Sequence, residues 1–291
     1  MSVALLAWLA GCSLVSLGYN NASLLAVWGS NRWFSLTSAQ ESDLHARLEP
    51  LLAWHRVVQL PDYAVFLTRL QTRIQRRVEV ADVAWLYAET RKRFHVVVDA
   101  VAPDAAALVL TLRPDQIDRL ESRFARTDQE FATSDVDVPQ AEARERFVGD
   151  SVKSVERWLG KLDEPQRKRL RALAMDMPFE PRLMHEDYVR RHRDLIELLR
   201  SGIAGGQESR TAVESSLRRI IGRWQEGQSA AHADYNLRQT AAFHRYFAEA
   251  INLATAEQRR HASERLQEYI DELLALAGQS NTRPVATRES M

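Results

Sequence analysis

Cysteine is the scarcest informative residue in this 291-residue chain: there is one, Cys12, so no intramolecular disulfide and no paired-cysteine motif exists. Net charge is missing too. The 39 basic and 39 acidic side chains cancel, which leaves no overall field to draw nucleic acid and disfavours a dedicated nucleic-acid binder. Lysine is confined to Lys92, Lys153, Lys161 and Lys168, so arginine supplies nearly all the positive charge, a coding bias that says little about a ligand. No apolar run reaches the roughly 20 residues that a bilayer span needs, because Gly11, Gly18, Tyr19, Asn20 and Asn21 interrupt the one beginning at Val3. Also absent are a nucleophile elbow, a phosphate-cradling loop and a two-residue hairpin signal. The segment Gly202 to Gly206 reads as a loop between helices, without the lysine and preceding strand of a phosphate site.

What is present is apolar surface. With 45% hydrophobic residues the chain can build a core for one large helical domain or two smaller ones. The position of the lone cysteine carries the sharpest signal. Cys12 directly follows Leu9-Ala10-Gly11 and an apolar run from Val3 to Ala10, which is the pattern of a lipobox. A lipoprotein signal peptidase needs small residues before its cleavage point so that the backbone can enter, and the thiol then carries diacylglycerol. Cleavage is expected between Gly11 and Cys12, and the lipid on Cys12 is the only cofactor-like group expected.

Met1-Ser2 lacks the positive charge with which export signals normally begin, and a start upstream of Met1 would account for that. Two or more acyl chains hold a protein stably on a membrane. Ser13 stands where an aspartate would signal inner-membrane retention, which favours the outer membrane with the body in the periplasm. A lone cysteine also suits an oxidising compartment, since nothing is left to mispair. The expected organisation is a signal peptide over 1–11, a lipidated tether over 12–34, a helical body over 35–277 and a polar, disordered tail over 278–291. The tether carries Leu24, Leu25, Val27, Trp28, Trp33 and Phe34, too apolar for a free linker, and is expected to pack onto the body.

The body reads as all-α, a multi-helix bundle or an elongated array of antiparallel helices. Apolar residues recur at three and four spacing: Leu44, Leu48, Leu51, Leu52 and His55 share a face in the first helix, and Tyr63, Phe66, Leu67, Leu70 and Ile74 form the next stripe after Pro61. The third helix is predicted over Asp82 to Ala100, ended by Pro103. Others are predicted over 114–132, 140–160, 165–175, 182–199, 210–225, 232–252 and 256–277. A local signature recurs at Leu36-Thr37-Ser38-Ala39-Gln40, Leu112-Arg113-Pro114-Asp115-Gln116, Leu162-Asp163-Glu164-Pro165-Gln166 and Ala254-Thr255-Ala256-Glu257-Gln258. Thr or Asp caps the helix, Gln three residues on reaches back to the cap's N–H, and the preceding apolar residue staples the chain onto the first turn.

These windows are similar to those of the L-T-x-x-Q class of periplasmic chaperones and metal-stress proteins, a likeness that shared capping chemistry explains by itself. Trp54-His55-Arg56 followed by Gln59-Leu60-Pro61-Asp62-Tyr63, with Gly18-Tyr19-Asn20-Asn21 after the lipobox, resembles a family of uncharacterised proteobacterial lipoproteins. The resemblance spans nearly the whole chain. It implies a location and a helical fold, and no activity, because that family has none established.

Trp54-His55-Arg56 reads either as the end of the first helix, its cations near the negative dipole end, or as a surface that holds an anion with Tyr63 beside it. A lipid phosphate or a peptidoglycan carboxylate would suit it. His185-Glu186-Asp187 with His192 lacks the spacing of a metal helix, and Asp187 with Arg191 makes an ordinary i to i+4 pair, so this face reads as solvated. His232 and His244, with Asp234 and Glu249, do not converge. The aromatic residues read as core, or more sharply as a concave groove for unfolded chains. No catalytic residue and no metal ligand is singled out. The expected function is a non-enzymatic binding or envelope-maintenance factor, meeting the membrane through its lipid and a periplasmic protein or peptidoglycan through its body. The alternatives are a cell-wall hydrolase with an unmarked Glu or His, and a structural tether between membrane and wall.

Overall fold

The computed structural model describes residues 16–226 and 229–279, so Gly11, Cys12 and nearly all of the 278–291 tail lie outside the described residues. Those residues form α1 (Ala22–Phe34), α2 (Ser38–Trp54), a π-helical turn (His55–Gln59), α3 (Leu60–Ile74), α4 (Val80–Val109), α5 (Pro114–Phe131), a second π turn (Ala132–Val136), α6 (Gln140–Leu159), α7 (Glu164–Met175), α8 (Pro181–Gly205), a 3-10 turn (Gly206–Ser209), α9 (Arg210–Glu226), α10 (Ala230–Leu253) and α11 (Ala256–Gly278). Residues 16–20 are helical as well. Among the described residues there is no strand, and the fold is all-α.

Most helix starts lie within two residues of where capping and periodicity put them, and the exceptions have physical causes. The first helix of the body, α2, does end at Trp54, but the chain does not leave the helical path there. It passes through the π turn, in which the N–H of Leu60 bonds to the carbonyl of His55 five residues back, and continues as α3. Pro61 has no N–H to give, and the wider turn takes it in without breaking the rod. Pro103 does not end the third helix, which runs to Val109. The carbonyl that Pro103 cannot serve belongs to Asp99, and Arg218 of α9 donates to it at 3.2 Å while also meeting the Asp99 carboxylate at 3.0 Å. Gly202 and Gly205 are not loop residues but the end of α8. The described part of the stretch read as a tether, 16–34, is helical apart from a turn at Asn21, and α1 packs on α2 and α5, with Trp33 against Phe124 at 5.9 Å.

The apolar faces of these helices enclose two main cores. One gathers Leu36, Val109, Leu112, Ile117, Leu120, Ile196, Leu199 and Val213 from the start of α2, the end of α4, α5, α8 and α9. The other gathers Ile74, Val148, Val155, Leu162, Leu170, Tyr246 and Leu266 from α3, α6, α7, α10 and α11. Two long elements join them: the α2–π–α3 rod, and α4, whose 30 residues span about 45 Å at the helical rise. α11 lies along α3.

Each core contains one pair of the capping glutamines. Gln40 and Gln116 exchange amide hydrogen bonds, Nε2 to Oε1, at 3.1 and 2.9 Å. Each Oε1 also accepts the cap N–H of its own helix, from Thr37 and Arg113, both at 2.9 Å. Each Nε2 finally donates to a carbonyl two residues before the partner's cap, Thr111 at 2.7 Å and Ser35 at 2.9 Å. Gln166 and Gln258 repeat the pattern in the second core: 2.7 and 3.1 Å between the amides, 3.0 and 2.9 Å from the N–H groups of Asp163 and Thr255, and 2.9 Å to the carbonyls of both Leu253 and Lys161. The windows are therefore not four independent helix starts but two reciprocal locks. In the second copy Arg113 cannot accept at the cap position, so only the glutamine half of the capping box forms there, and its guanidinium binds Asp115 instead.

Gln116 is fully buried and the other three glutamines are less than a tenth exposed. A buried amide left unpaired costs about 1–3 kcal/mol, so truncating one glutamine strands its partner amide, a cap N–H and a carbonyl together. We expect Gln40→Ala and Gln116→Ala each to destabilise by about 2–4 kcal/mol, and the double variant to cost less than their sum. Gln116→Ala with Gln258→Ala should be additive, because the two locks share no atom. Chemical denaturation of the single and double variants measures this, and additivity within the Gln40–Gln116 pair would contradict the lock.

A second expectation concerns Gly202. A Cβ there would sit 2.9 Å from Val213 and 3.1 Å from Val109. Alanine in place of a helical glycine normally stabilises by about 1 kcal/mol, but here the close approach of α4, α8 and α9 reverses the sign. Gly202→Ala should lower the melting temperature, and combining it with Val213→Ala should recover part of the loss.

Candidate functional site

The residues picked from the sequence around the π turn do come together. His55 sits at the turn's first position, and its ring faces the helical segment 16–20. Tyr19 Oη lies 2.9 Å from His55 Nδ1. Burial pushes the His55 pKa down and is the main cause raising that of Tyr19, with Arg56 opposing the latter. Neutral imidazole and neutral phenol are thus both favoured, and the two share one hydrogen bond. Tyr63 packs its ring edge-on to His55 at 5.5 Å and Trp54 does so at 6.3 Å.

Arg56 is committed within the chain. It donates to Asn20 Oδ1 at 2.8 Å, to the carbonyl of Leu276 at 3.3 Å and to Gln279 Oε1 at 3.4 Å, and its guanidinium lies 5.0 Å from the centre of the Tyr19 ring. The Leu276 carbonyl belongs to the last turn of α11, where carbonyls have no helical partner and the dipole is negative. Trp54, His55, Arg56 and Tyr63 thus form a clasp that ties the N-terminal segment and the end of α11 to one turn. Tyr19 and Asn20 are its missing members in the sequence reading. They stand in the Gly18-Tyr19-Asn20-Asn21 element already noticed, but nothing local to them says that they meet residues 36 positions on.

A second cluster corrects the reading of His185 and His192 as solvated. His192 Nδ1 is 2.8 Å from Asp128 Oδ1, and His185 Nε2 is 3.1 Å from the Asp128 carbonyl. The rings stack on α5 aromatics, His192 flat on Phe124 at 4.0 Å and His185 parallel to Phe131 at 5.9 Å. Asp187 pairs with Arg191 as expected and also with Arg190, which meets Asp194 at 2.9 Å. Ser229 caps the start of α10 by accepting the His232 N–H at 3.2 Å, the His232 ring lies 2.7 Å from the same hydroxyl and 3.2 Å from the Leu183 carbonyl, and His244 lies against Tyr87 at 5.6 Å, its pKa lowered by burial. No group of three His, Cys, Asp or Glu side chains close enough to hold a metal occurs among the described residues.

Core packing accounts for only part of the aromatic set. Tyr235 and Tyr246 are buried, and burial pushes the Tyr246 phenol up to about 12. Tyr87, Phe94, Trp158, Tyr188, Phe243 and Tyr269 are each at least 37% exposed. A cleft of about 460 Å³ lies between α1 and α2, lined by Val27, Glu41, His45 and Glu49.

Fold and clusters together define an all-helical protein of two joined cores, with an N-terminal segment clasped to a π turn. The chain belongs to a family of unknown function, DUF6279, whose model matches residues 32–226. That span holds the first glutamine lock, the π turn and the Asp128–His192 pair, while α10 and α11 lie beyond it. No curated protein and no solved structure matches.

The clasp has a pH dependence with a definite sign. His55 titrates lower folded than unfolded, so its neutral form contributes stability that is complete above the unfolded value near 6.5 and falls as pH drops through the lower folded value. We expect an NMR titration midpoint for His55 below 6.5 and a loss of Tyr19–His55 contact on acidification. His55→Gln should flatten the melting-temperature profile between pH 7 and pH 5; a profile unchanged by the substitution would contradict the assignment.

Proposed function

We propose that the protein is an envelope lipoprotein of the outer membrane, anchored by a lipid on Cys12, whose periplasmic body is a non-enzymatic binding or envelope-maintenance factor. One observation carries the reading. Ser16, four positions after Cys12, is already helical, and Tyr19 and Asn20 just beyond it are clasped to the body by His55 and Arg56. A chain tied down so close to the lipobox cysteine keeps its body within a few residues' reach of whatever the cysteine carries. The exposed aromatic side chains on α4, α6, α8, α10 and α11 suit contact with polypeptide or glycan better than with small anions, and the arginines of the clasp and of the Asp187 network are taken up by internal partners.

Replacing Cys12 with Ala, with metabolic labelling by radioactive palmitate and membrane fractionation, tests the anchor. The expected result is loss of label and release of the protein from the outer-membrane fraction. Label retained on Cys12→Ala would overturn the reading.

The Asp128–His192 pair favours one competing reading, a cell-wall hydrolase. A carboxylate on Nδ1 is how acid–base histidines are oriented, although this ring is covered on one face by Phe124. Purified protein incubated with peptidoglycan should release no fragments. Release that His192→Gln abolishes would favour the hydrolase instead.

A further inference from the structure

The N-terminal helix presents an apolar face that none of the described residues covers. Leu24, Leu25 and Trp28 share one side of α1 and are 59%, 54% and 64% exposed; Leu17, just before it, is 58% exposed. The opposite side is engaged, since α1 packs on α2 and α5 and Phe34 joins the first core. The outward residues lie at three- and four-residue spacing, so they form a stripe and not a scatter. Arg32 follows at the exposed end of the stripe.

We infer that this face is seated in the interfacial layer of a phospholipid bilayer, as a second membrane contact lying flat beside the anchor; the inference rests on the lipoprotein reading for what brings it there. The occupant follows from the chain just before the helix. Cys12 stands four residues before Ser16 and ten before the start of α1, so the segment that a lipid or signal sequence commits to the membrane ends within ten residues of the helix. The residue types match that depth: leucines enter the acyl boundary, Trp28 sits at headgroup level, and an arginine reaches back to phosphate. Arg32 is the one charged residue between Ser16 and Phe34, too few for a basic cluster, so the contact is one of apolar burial and not of attraction to anionic lipid. Because His55 and Arg56 hold residues 19 and 20, seating the helix also fixes which side of the body faces the membrane.

Site-directed spin labelling of the full chain, reconstituted in phosphatidylcholine vesicles, tests this. Nitroxides at Leu24→Cys and Trp28→Cys are compared with one at Lys168→Cys, an exposed position on α7, by their accessibility to oxygen and to a water-soluble nickel complex. Each is measured with Cys12 intact and as Cys12→Ser. The expected result is that the α1 labels favour oxygen several-fold more than the α7 label does, with no dependence on added anionic lipid. If Cys12 carries no lipid while the α1 labels still enter the bilayer, the anchor reading falls and this one stands. If Cys12 carries lipid and the α1 labels remain as water-exposed as the α7 label, this inference falls alone. Strong dipolar coupling between α1 labels of two molecules would show a second copy on the face and would also overturn it.

Discussion

The amides at a helix start have no partner within the helix, and this fold depends on burying four such starts at once. Glutamine solves the problem because one side chain offers two acceptor sites and two donors. Each buried glutamine spends one acceptor site on its own cap and the rest of its capacity on its opposite number and the opposite chain entry. The helices that carry a pair must then meet start to start, and the apolar residues at the entries, Leu36 with Leu112 and Leu162 with Ala254, fall into the two cores. The α2–π–α3 rod, α4 and the clasp are arranged around that requirement.

A second theme is the use of arginine to repair backbone that the helices leave unpaired. Arg218 serves the carbonyl that Pro103 abandons, Arg56 serves the last turn of α11, and Arg259 donates to the carbonyls of Ile74 and Arg76 at the end of α3. A planar group with several donors reaches two carbonyls where lysine offers one point charge. The scarcity of lysine, which as composition carried no structural meaning, fits a chain whose long helices are closed by guanidinium groups.

Local chemistry was legible in the sequence and long-range pairing was not. Periodicity and caps located nearly every helix, and the capping signature was visible in all four copies, because both depend on residues within a few positions of each other. That Gln40 meets Gln116 and Gln166 meets Gln258 depends on separations of 76 and 92 residues, and nothing in a five-residue window encodes a partner so far away. Pro103 misled for the same reason, because its compensation, Arg218, comes from outside the helix; Pro61 stands at a first-turn position as read, and only the π turn that joins its helix to the one before was hidden from periodicity. At the candidate site, Trp54, His55, Arg56 and Tyr63 were singled out as a group, but their partners Tyr19 and Asn20 turned a surface open to anions into an internal clasp. In the proposed lipoprotein, that clasp holds the N-terminal segment against the body, where its apolar residues were expected to pack.

Native-state hydrogen exchange at the four cap amides, those of Thr37, Arg113, Asp163 and Thr255, tests the dependence on the glutamine locks most directly. If the locks hold the cores together, these amides exchange only with the global unfolding of their core, as slowly as the central amides of α5 and α11. Exchange at the rate of frayed helix ends, with the core amides still protected, would contradict that account.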